Sequence, residues 1–141
     1  MGFRRKAREC ALQMLFQRDF TEDDPKIIEL AFFAEAGKVP PIARSYAERL
    51  FEGVAQRLEE IDGVISERSE HWRLSRMARV DRNILRLAVY EFLHETDTPR
   101  KVVINEACEI ARKFGGDESV GFVNGVLDGI MRELERAPRS A

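Results

Sequence analysis

Four cationic side chains lie within the first eight residues, with no acidic residue among them: Arg4, Arg5, Lys6 and Arg8. Guanidinium and ammonium groups placed so closely attract a polyanion, and RNA is the polyanion that we expect here. The formal net charge of the whole chain is only -2, so this positive excess is local. The sequence therefore predicts a phosphate-binding segment at the amino terminus. The alternative is a solvated, frayed terminus.

A second stretch carries the opposite charge. Between residues 19 and 35 the only cation is Lys26, and six residues are acidic: Asp19, Glu22, Asp23, Asp24, Glu29 and Glu35. A polyanion is repelled by such a stretch, because like charges raise the free energy of the encounter. We therefore expect RNA to approach the amino-terminal cations and to avoid this region.

The residue patterns of common catalytic and metal sites are missing from the sequence. It has no glycine-rich phosphate loop ending in Lys and Ser or Thr, and no helix with two zinc-binding histidines. Its two histidines, His71 and His94, are far apart and lack a cysteine or carboxylate cluster at ligand spacing. We therefore expect a protein that is not an enzyme, with no catalytic residue, no metal and no cofactor.

The cysteines and the apolar runs indicate the cellular compartment. Cys10 and Cys108 are the only cysteines, and both fall at apolar positions of helical patterns, so we expect reduced, buried thiols. A single disulfide between them stays open. No apolar run approaches the roughly 20 residues that cross a bilayer, and no secretion signal follows the basic start. We expect a cytoplasmic protein without a membrane segment.

Helices are the elements that must position these residues. Apolar residues recur at spacings of three and four along the chain, and no stretch shows sustained two-residue alternation. The length of 141 residues fits one domain with its own core. We predict one compact all-α domain, residues 1–141, with about seven helices joined by short loops. The tail after residue 136 is expected to be loose.

Turn and capping residues set the first boundaries. The basic segment continues into an apolar stripe, so the first helix is predicted over residues 3–20. Asp24 followed by Pro25 is typical of a helix cap and a first-turn proline. The second helix therefore begins there, and it ends at Gly37.

The middle of the chain contains the most apolar pattern. A longer helix is predicted from Ile42, after two prolines, and its pattern continues past a break near Gly63. Trp72 then leads into residues 80–92, which are apolar nearly all the way round. We expect this last helix to be central, because a helix without a polar face must be buried on all sides.

Two glycines separate the last two helices. The apolar pattern restarts after Pro99 and stops at Gly115 and Gly116, which are typical of a helix end. Asp117 or Ser119 then supplies the cap of the final helix. These boundaries complete the predicted set of helices.

Four stretches of the chain, in order, resemble the NusB family of bacterial transcription antitermination factors. They are residues 4–13 (RRKARECALQ), 80–91 (VDRNILRLAVYE), 104–115 (INEACEIARKFG) and 122–128 (FVNGVLD). Together they extend over essentially the whole chain, and residues 19–41 are the least diagnostic part. The resemblance implies an all-helical NusB-like fold, in agreement with the periodicity.

The resemblance also implies a function. Proteins of this family are adaptors without enzymatic activity, and they bind the boxA element of nascent leader RNA together with NusE, a small-subunit ribosomal protein. They thereby help RNA polymerase to resist termination, notably on ribosomal RNA operons. By resemblance, the expected partners are boxA-containing single-stranded RNA, NusE and the antitermination complex of RNA polymerase.

By resemblance, the RNA-contacting residues lie in two places. The basic start of the first helix supplies Arg4, Arg5, Lys6 and Arg8. The turn entering the last helix supplies Glu118 and Phe122. For Phe122 the alternative is a core position, because phenylalanine at helical spacing is more often buried than used for stacking. Glu118 opposes RNA by charge, so we expect it to tune a site of moderate affinity that a partner completes.

The resemblance assigns the NusE-facing surface to the central helix. The residues carried over to this sequence are Asp81, Arg86 and Glu91. Alternating charges at an interface mainly set orientation and association rate. The alternative is an exposed polar strip with no partner.

Three other interpretations stay open at this point. The chain could be a helical protein–protein interaction module, or it could correspond to the NusB-like RNA-binding domain of RNA cytosine methyltransferases. Its length leaves no residues for the cofactor-binding sheet of such an enzyme. A homodimer is also open, because members of the family occur as monomers and as dimers.

Overall fold

A computed structural model describes residues 2–68 and 73–136. These residues form seven α-helices and one short 3-10 turn, Leu74–Arg76, and no strand occurs among them. The helices are α1 (Gly2–Arg18), α2 (Pro25–Glu35), α3 (Pro41–Gln56), α4 (Leu58–Arg68), α5 (Arg79–His94), α6 (Arg100–Gly115) and α7 (Asp117–Arg136). The prediction of an all-α fold with about seven helices is therefore confirmed.

The chain forms two compact units, Met1–Leu58 and Glu59–Ala141, and each is described here by itself. In the first unit α1 packs against α3 and α2, and α2 packs against α3. In the second unit α5, α6 and α7 pack against one another. The single domain expected over residues 1–141 stays a prediction.

Fully buried alanines occur on both α1 and α3, which pack against each other. Ala7 and Ala11 on α1 are fully buried, as are Ala43 and Ala47 on α3. Each pair has a spacing of four residues, so both members lie on one face of their helix. Because the distance between packed helices depends on the side chains at the contact, these methyl groups favour a close approach of α1 to α3.

The helix α5 is buried on nearly every side, as its sequence predicts. Its buried apolar residues are Ile84, Leu85, Leu87, Ala88, Val89, Tyr90 and Phe92. It packs against both α6 and α7, which present buried residues such as Val103 and Leu127. The second unit is therefore built around α5.

Capping residues determine several observed helix ends. The Asp24 carboxylate accepts a hydrogen bond from the Lys26 backbone N–H at 2.9 Å, and Pro25 is the first residue of α2. Gly116 ends α6 with a φ of +89°, a conformation that favours glycine. Both of these sequence predictions are confirmed.

Three predicted helix boundaries were wrong. The break expected near Gly63 lies at Arg57, and Gly63 is inside α4, where an exposed position tolerates the modest cost of glycine. Ser119 does not cap α7, because its hydroxyl donates to the Gly115 carbonyl from within the helix at 3.2 Å. The first helix ends at Arg18 rather than residue 20. His71, Trp72 and the tail after residue 136 lie outside the described residues.

Candidate nucleic-acid interface

The four amino-terminal cations lie on the first two turns of α1, but they are not equally exposed. Arg5 and Lys6 are exposed, and Arg4 is half-buried. Arg8 retains only 4 % of its surface. The exposed positive charge therefore comes mainly from residues 4, 5 and 6, and not from the four-residue set that the sequence predicts.

Arg8 lies at a buried position next to the alanine face of α1. Its neighbour Ala7 and the residue three positions on, Ala11, are fully buried. A buried charge requires compensation by neighbouring groups, since leaving water costs it solvation energy. This surrounding gives Arg8 a structural role within the first unit, and its contact with RNA stays a prediction.

Two aromatic rings lie beside Arg4. Its guanidinium carbon is 5.6 Å from the centroid of the Tyr46 ring and 5.9 Å from that of Phe3. The rings of Phe3 and Tyr46 meet edge to face, with centroids 6.4 Å apart. Guanidinium groups within about 6 Å of a ring are attracted to it. The cation therefore has two ring neighbours, one on α1 and one on α3.

Lys6 lines a groove of about 430 Å³ between α1 and α2. The α1 side also presents Gln13 and Gln17, and the α2 side presents Ala31 and Glu35. Glutamine amides both donate and accept hydrogen bonds, so this groove combines a cation with groups that can bind base edges. The Glu35 carboxylate adds a negative charge on the α2 side of the groove.

Three of the acidic residues predicted to repel RNA lie at the end of the first unit where the chain passes from α1 to α2, whereas Glu29 is buried and Glu35 lines the groove that holds Lys6. Glu22, Asp23 and Asp24 are exposed. With Arg18 and residues at the end of α3 they line a second cavity of about 550 Å³. Because the cations lie at the opposite end of α1, the charge along this helix is asymmetric.

The second predicted RNA segment is the turn between α6 and α7. Glu118 is exposed on the first turn of α7, and Phe122 is half-buried one turn later. The Ser119 side chain lies against Gly115, where a Cβ would clash with it. Asp117 and Glu118 occupy the positive end of the helix dipole, which stabilises carboxylates there. Phe122 has neither the full burial of a core residue nor full exposure.

The three residues predicted to face NusE have little exposed surface. Arg86 donates two hydrogen bonds to the Asp62 carboxylate, at 2.8 and 2.9 Å, and a third to Asn83 Oδ1 at 3.1 Å. Its side chain is 11 % exposed, and Glu91 is 2 % exposed. Both residues therefore lie mainly within the second unit, and their contact with a partner stays a prediction.

Asp81 lies at the start of α5, near the α6–α7 turn. Its Oδ1 atom is 3.6 Å from the position that a Cβ of Gly115 would occupy. Within the described residues, this oxygen is buried and accepts no hydrogen bond. The structure thus places Asp81 beside the turn that carries Glu118, which the sequence spacing did not indicate.

Both cysteines are free, and burial raises the pKa of each thiol. Cys10 is buried as expected, whereas Cys108 is half-buried and lies 3.8 Å from Asn124 Oδ1. Among residues 2–68 and 73–136, no three His, Cys, Asp or Glu side chains are grouped so that they could hold a metal ion. No helix in these same ranges is long and apolar enough to cross a membrane.

Sequence reasoning missed the two rings beside Arg4. Phe3 is adjacent to the basic segment in the sequence, so its proximity could have been noticed. Tyr46 is far from it in the chain, and only the packing of α3 on α1 brings the two together. Asp62, the partner of Arg86, was missed for the same reason.

Comparison with known proteins gives one consistent family. The sequence profile described as the NusB family matches residues 5–132. Transcription antitermination protein NusB of Koribacter versatilis is 52% identical over 134 residues, which are 95% of this chain and 92% of that protein. NusB of T. maritima has a solved structure with a TM-score of 0.81 and 41% identity, covering 92% of this chain and 91% of that one.

A third similarity is to a complex. It is a crystal structure of antitermination factors NusB and NusE in complex with dsRNA. The similar chain in it has a TM-score of 0.85 and 28% identity, and the match covers 94% of this chain and 98% of that chain.

Proposed function

This chain belongs to the NusB family, and on that premise we propose that it is an RNA-binding adaptor in transcription antitermination. In this proposal it binds boxA-containing leader RNA together with NusE, and it helps RNA polymerase to resist termination. It does so by binding alone, without catalysing a reaction. Such a role takes place in the bacterial cytoplasm, where nascent RNA is made.

The observation that carries the proposal is the exposed cationic surface of residues 4 to 6. Arg5 and Lys6 are exposed on the first turns of α1, next to Arg4 with its two rings. Single-stranded RNA is bound through cations along its phosphates and flat groups beside its bases, and this surface offers both. A similar NusB chain occurs in a complex with dsRNA, which supports binding of RNA.

The α6–α7 turn is the second RNA contact in this proposal. Phe122 supplies a half-exposed ring, and Glu118 lowers affinity by its negative charge. Asp81 then belongs with this turn as well as with the partner surface, because it lies beside Gly115. NusE contacts the second unit near α5, with Arg86 and Glu91 acting from beneath that surface.

A salt titration tests the proposal. The binding constant for a boxA-like single-stranded RNA is measured from 50 mM to 400 mM salt, with and without NusE. If residues 4 to 6 each neutralise one phosphate, log affinity falls against log salt with a slope of about -2, and with Arg8 included the slope is about -3. NusE should raise the affinity at every salt concentration.

A flat salt response would contradict the proposal. It would favour a helical module that binds proteins only. The oligomeric state, followed by ultracentrifugation in the same buffers, shows whether a homodimer competes with RNA, because a dimer that hides the cations makes affinity depend on protein concentration.

A further inference from the structure

Tyr46 lies beside the cationic segment of α1, although it belongs to α3 and not to the proposed RNA-binding helix. It lies on α3, its side chain is half-buried, and its ring is directed to the first turn of α1. Its neighbours on α3, Ala43 and Ala47, are fully buried, and α3 packs against α1. The half-buried Tyr46 ring lies beside Arg4 of the cationic segment.

The contact has the geometry of a cation held by two rings. The Arg4 guanidinium carbon lies 5.6 Å from the Tyr46 centroid and 5.9 Å from the Phe3 centroid. The edge-to-face contact of the two rings, at 71°, keeps them at a fixed angle to each other. A ring attracts the cation through its electron-rich face and so restrains the guanidinium. Unlike a carboxylate, the ring does not neutralise the charge.

We propose that Tyr46, together with Phe3, positions the Arg4 guanidinium for contact with an RNA phosphate. This inference rests on the proposed function, because it names further residues of the same RNA surface. Tyr46 is a positioning residue here: it contributes to RNA affinity through Arg4, and α3 thereby shapes a surface that is formed by α1. The rings increase RNA affinity because a restrained Arg4 side chain loses less conformational entropy when it binds.

A double-mutant cycle tests this coupling. Affinity for the boxA-like RNA is measured for the full chain, Tyr46→Leu, Arg4→Ala and the double variant. Tyr46→Leu should weaken binding about three- to fivefold, the factor expected from one exposed cation–ring contact. In the Arg4→Ala background the same change should have no further effect, because the residue through which it acts is gone.

Tyr46→Phe is the matched control, since it keeps the ring and removes only the hydroxyl. It should bind RNA within about twofold of the original chain, because a phenyl ring still attracts the cation. Circular dichroism and thermal unfolding check that each variant is folded at the binding temperature. Should Tyr46→Leu fail to fold, Phe3→Leu replaces it in the cycle with Arg4→Ala.

Two results would overturn the inference. One is unchanged RNA affinity in a folded Tyr46→Leu or Phe3→Leu variant. The other is an equal loss in both backgrounds, which would show that the ring acts independently of Arg4. Failure of the proposed function looks different, because the unsubstituted chain would then show no salt-dependent RNA binding at all.

Discussion

The surroundings of Arg5 and Lys6 on α1 are the opposite of those of Arg86 and Glu91 on α5, although both helices carry the family's motifs. On α1 the buried side of the helix includes Arg8, whereas Arg5 and Lys6 remain exposed. On α5 nearly every side is covered, so Arg86 binds Asp62 and Asn83 and Glu91 is buried. A charge is thus available to a partner only where its helix keeps a solvent-facing side. The residue type alone does not decide it.

Replacing Arg86 with Ala should have the largest effect. The change leaves the Asp62 carboxylate and the Asn83 amide without their hydrogen-bond donor, and we expect a loss of about 2 to 3 kcal/mol in unfolding free energy. Chemical denaturation measures it. The affinity of the folded protein for RNA alone should stay unchanged. Unaltered stability would show that the hydrogen bonds of Arg86 do not stabilise the second unit.

Replacing Arg5 and Lys6 together with Ala should do the opposite. Two of three exposed cations are lost, so RNA affinity should fall about 25-fold at 0.1 M salt, and the salt slope should become shallower by about 1.4. Helicity and melting temperature should not change, because both side chains are exposed. Lys38→Ala, which removes an exposed cation outside α1, is the control. A collapse of the fold would assign these two cations to the interior, as for Arg86.

A pH titration extends the comparison to a buried carboxyl of the first unit. Glu29 on α2 is 2 % exposed, and burial together with the hydrogen-bonded Glu52 carboxylate raises its pKa from 4.5 to about 7. The neutral form is thus favoured in the folded state, so its contribution is complete below pH 4.5 and is lost as pH rises through 7. The pKa of Glu52 is lowered by Glu29 and Lys26, with the opposite effect in acid.

We expect unfolding free energy to fall by about 1 to 2 kcal/mol between pH 5.5 and pH 8. Glu29→Gln should remove this decline, because an amide keeps a hydrogen-bond donor and does not ionise. Glu48→Gln, a change of a neighbouring carboxylate that pairs with Arg44, should retain it. Denaturant titrations at four pH values measure the difference. An equal decline in Glu29→Gln would exclude Glu29 as its source.

Glu118→Gln should have the smallest effect. It removes a negative charge from the exposed first turn of α7, so RNA should bind about two- to threefold more tightly at low salt and less so as salt screens the charge. Asp117→Asn is the matched control from the adjacent residue. Affinity that does not increase would separate the α7 turn from the RNA surface and leave α1 as its main part.

Most of the fold could be predicted from the sequence, because helix ends are determined by a few neighbouring residues. The Asp24–Pro25 cap and the glycine stop at Gly116 each depend on the backbone conformation of one or two residues. The helix break at Arg57 could not be predicted, because neither proline nor glycine marks it. The break was expected at Gly63 because glycine disfavours helix. A mid-chain arginine can end one helix as readily as it continues another.

The candidate site could be predicted only in part, because the exposure of a side chain depends on contacts with residues that are distant in sequence. The charge pattern indicated the cations of α1, and Arg5 and Lys6 are indeed exposed. It could not show that Arg8 is buried or that Tyr46 lies beside Arg4, since both follow from the packing of the first unit. Contact of these residues with RNA stays a prediction.

The four buried alanines of α1 and α3 also bear on how such a protein can change over generations. Because they are fully buried, a larger side chain at Ala7 or Ala47 would force neighbouring side chains or backbone to shift, and a shift of α1 would move its cations. Outward-facing positions carry no such constraint. Under the proposed function, substitutions at Lys6 or Gln13 would change RNA binding, while the buried alanines keep the first unit folded.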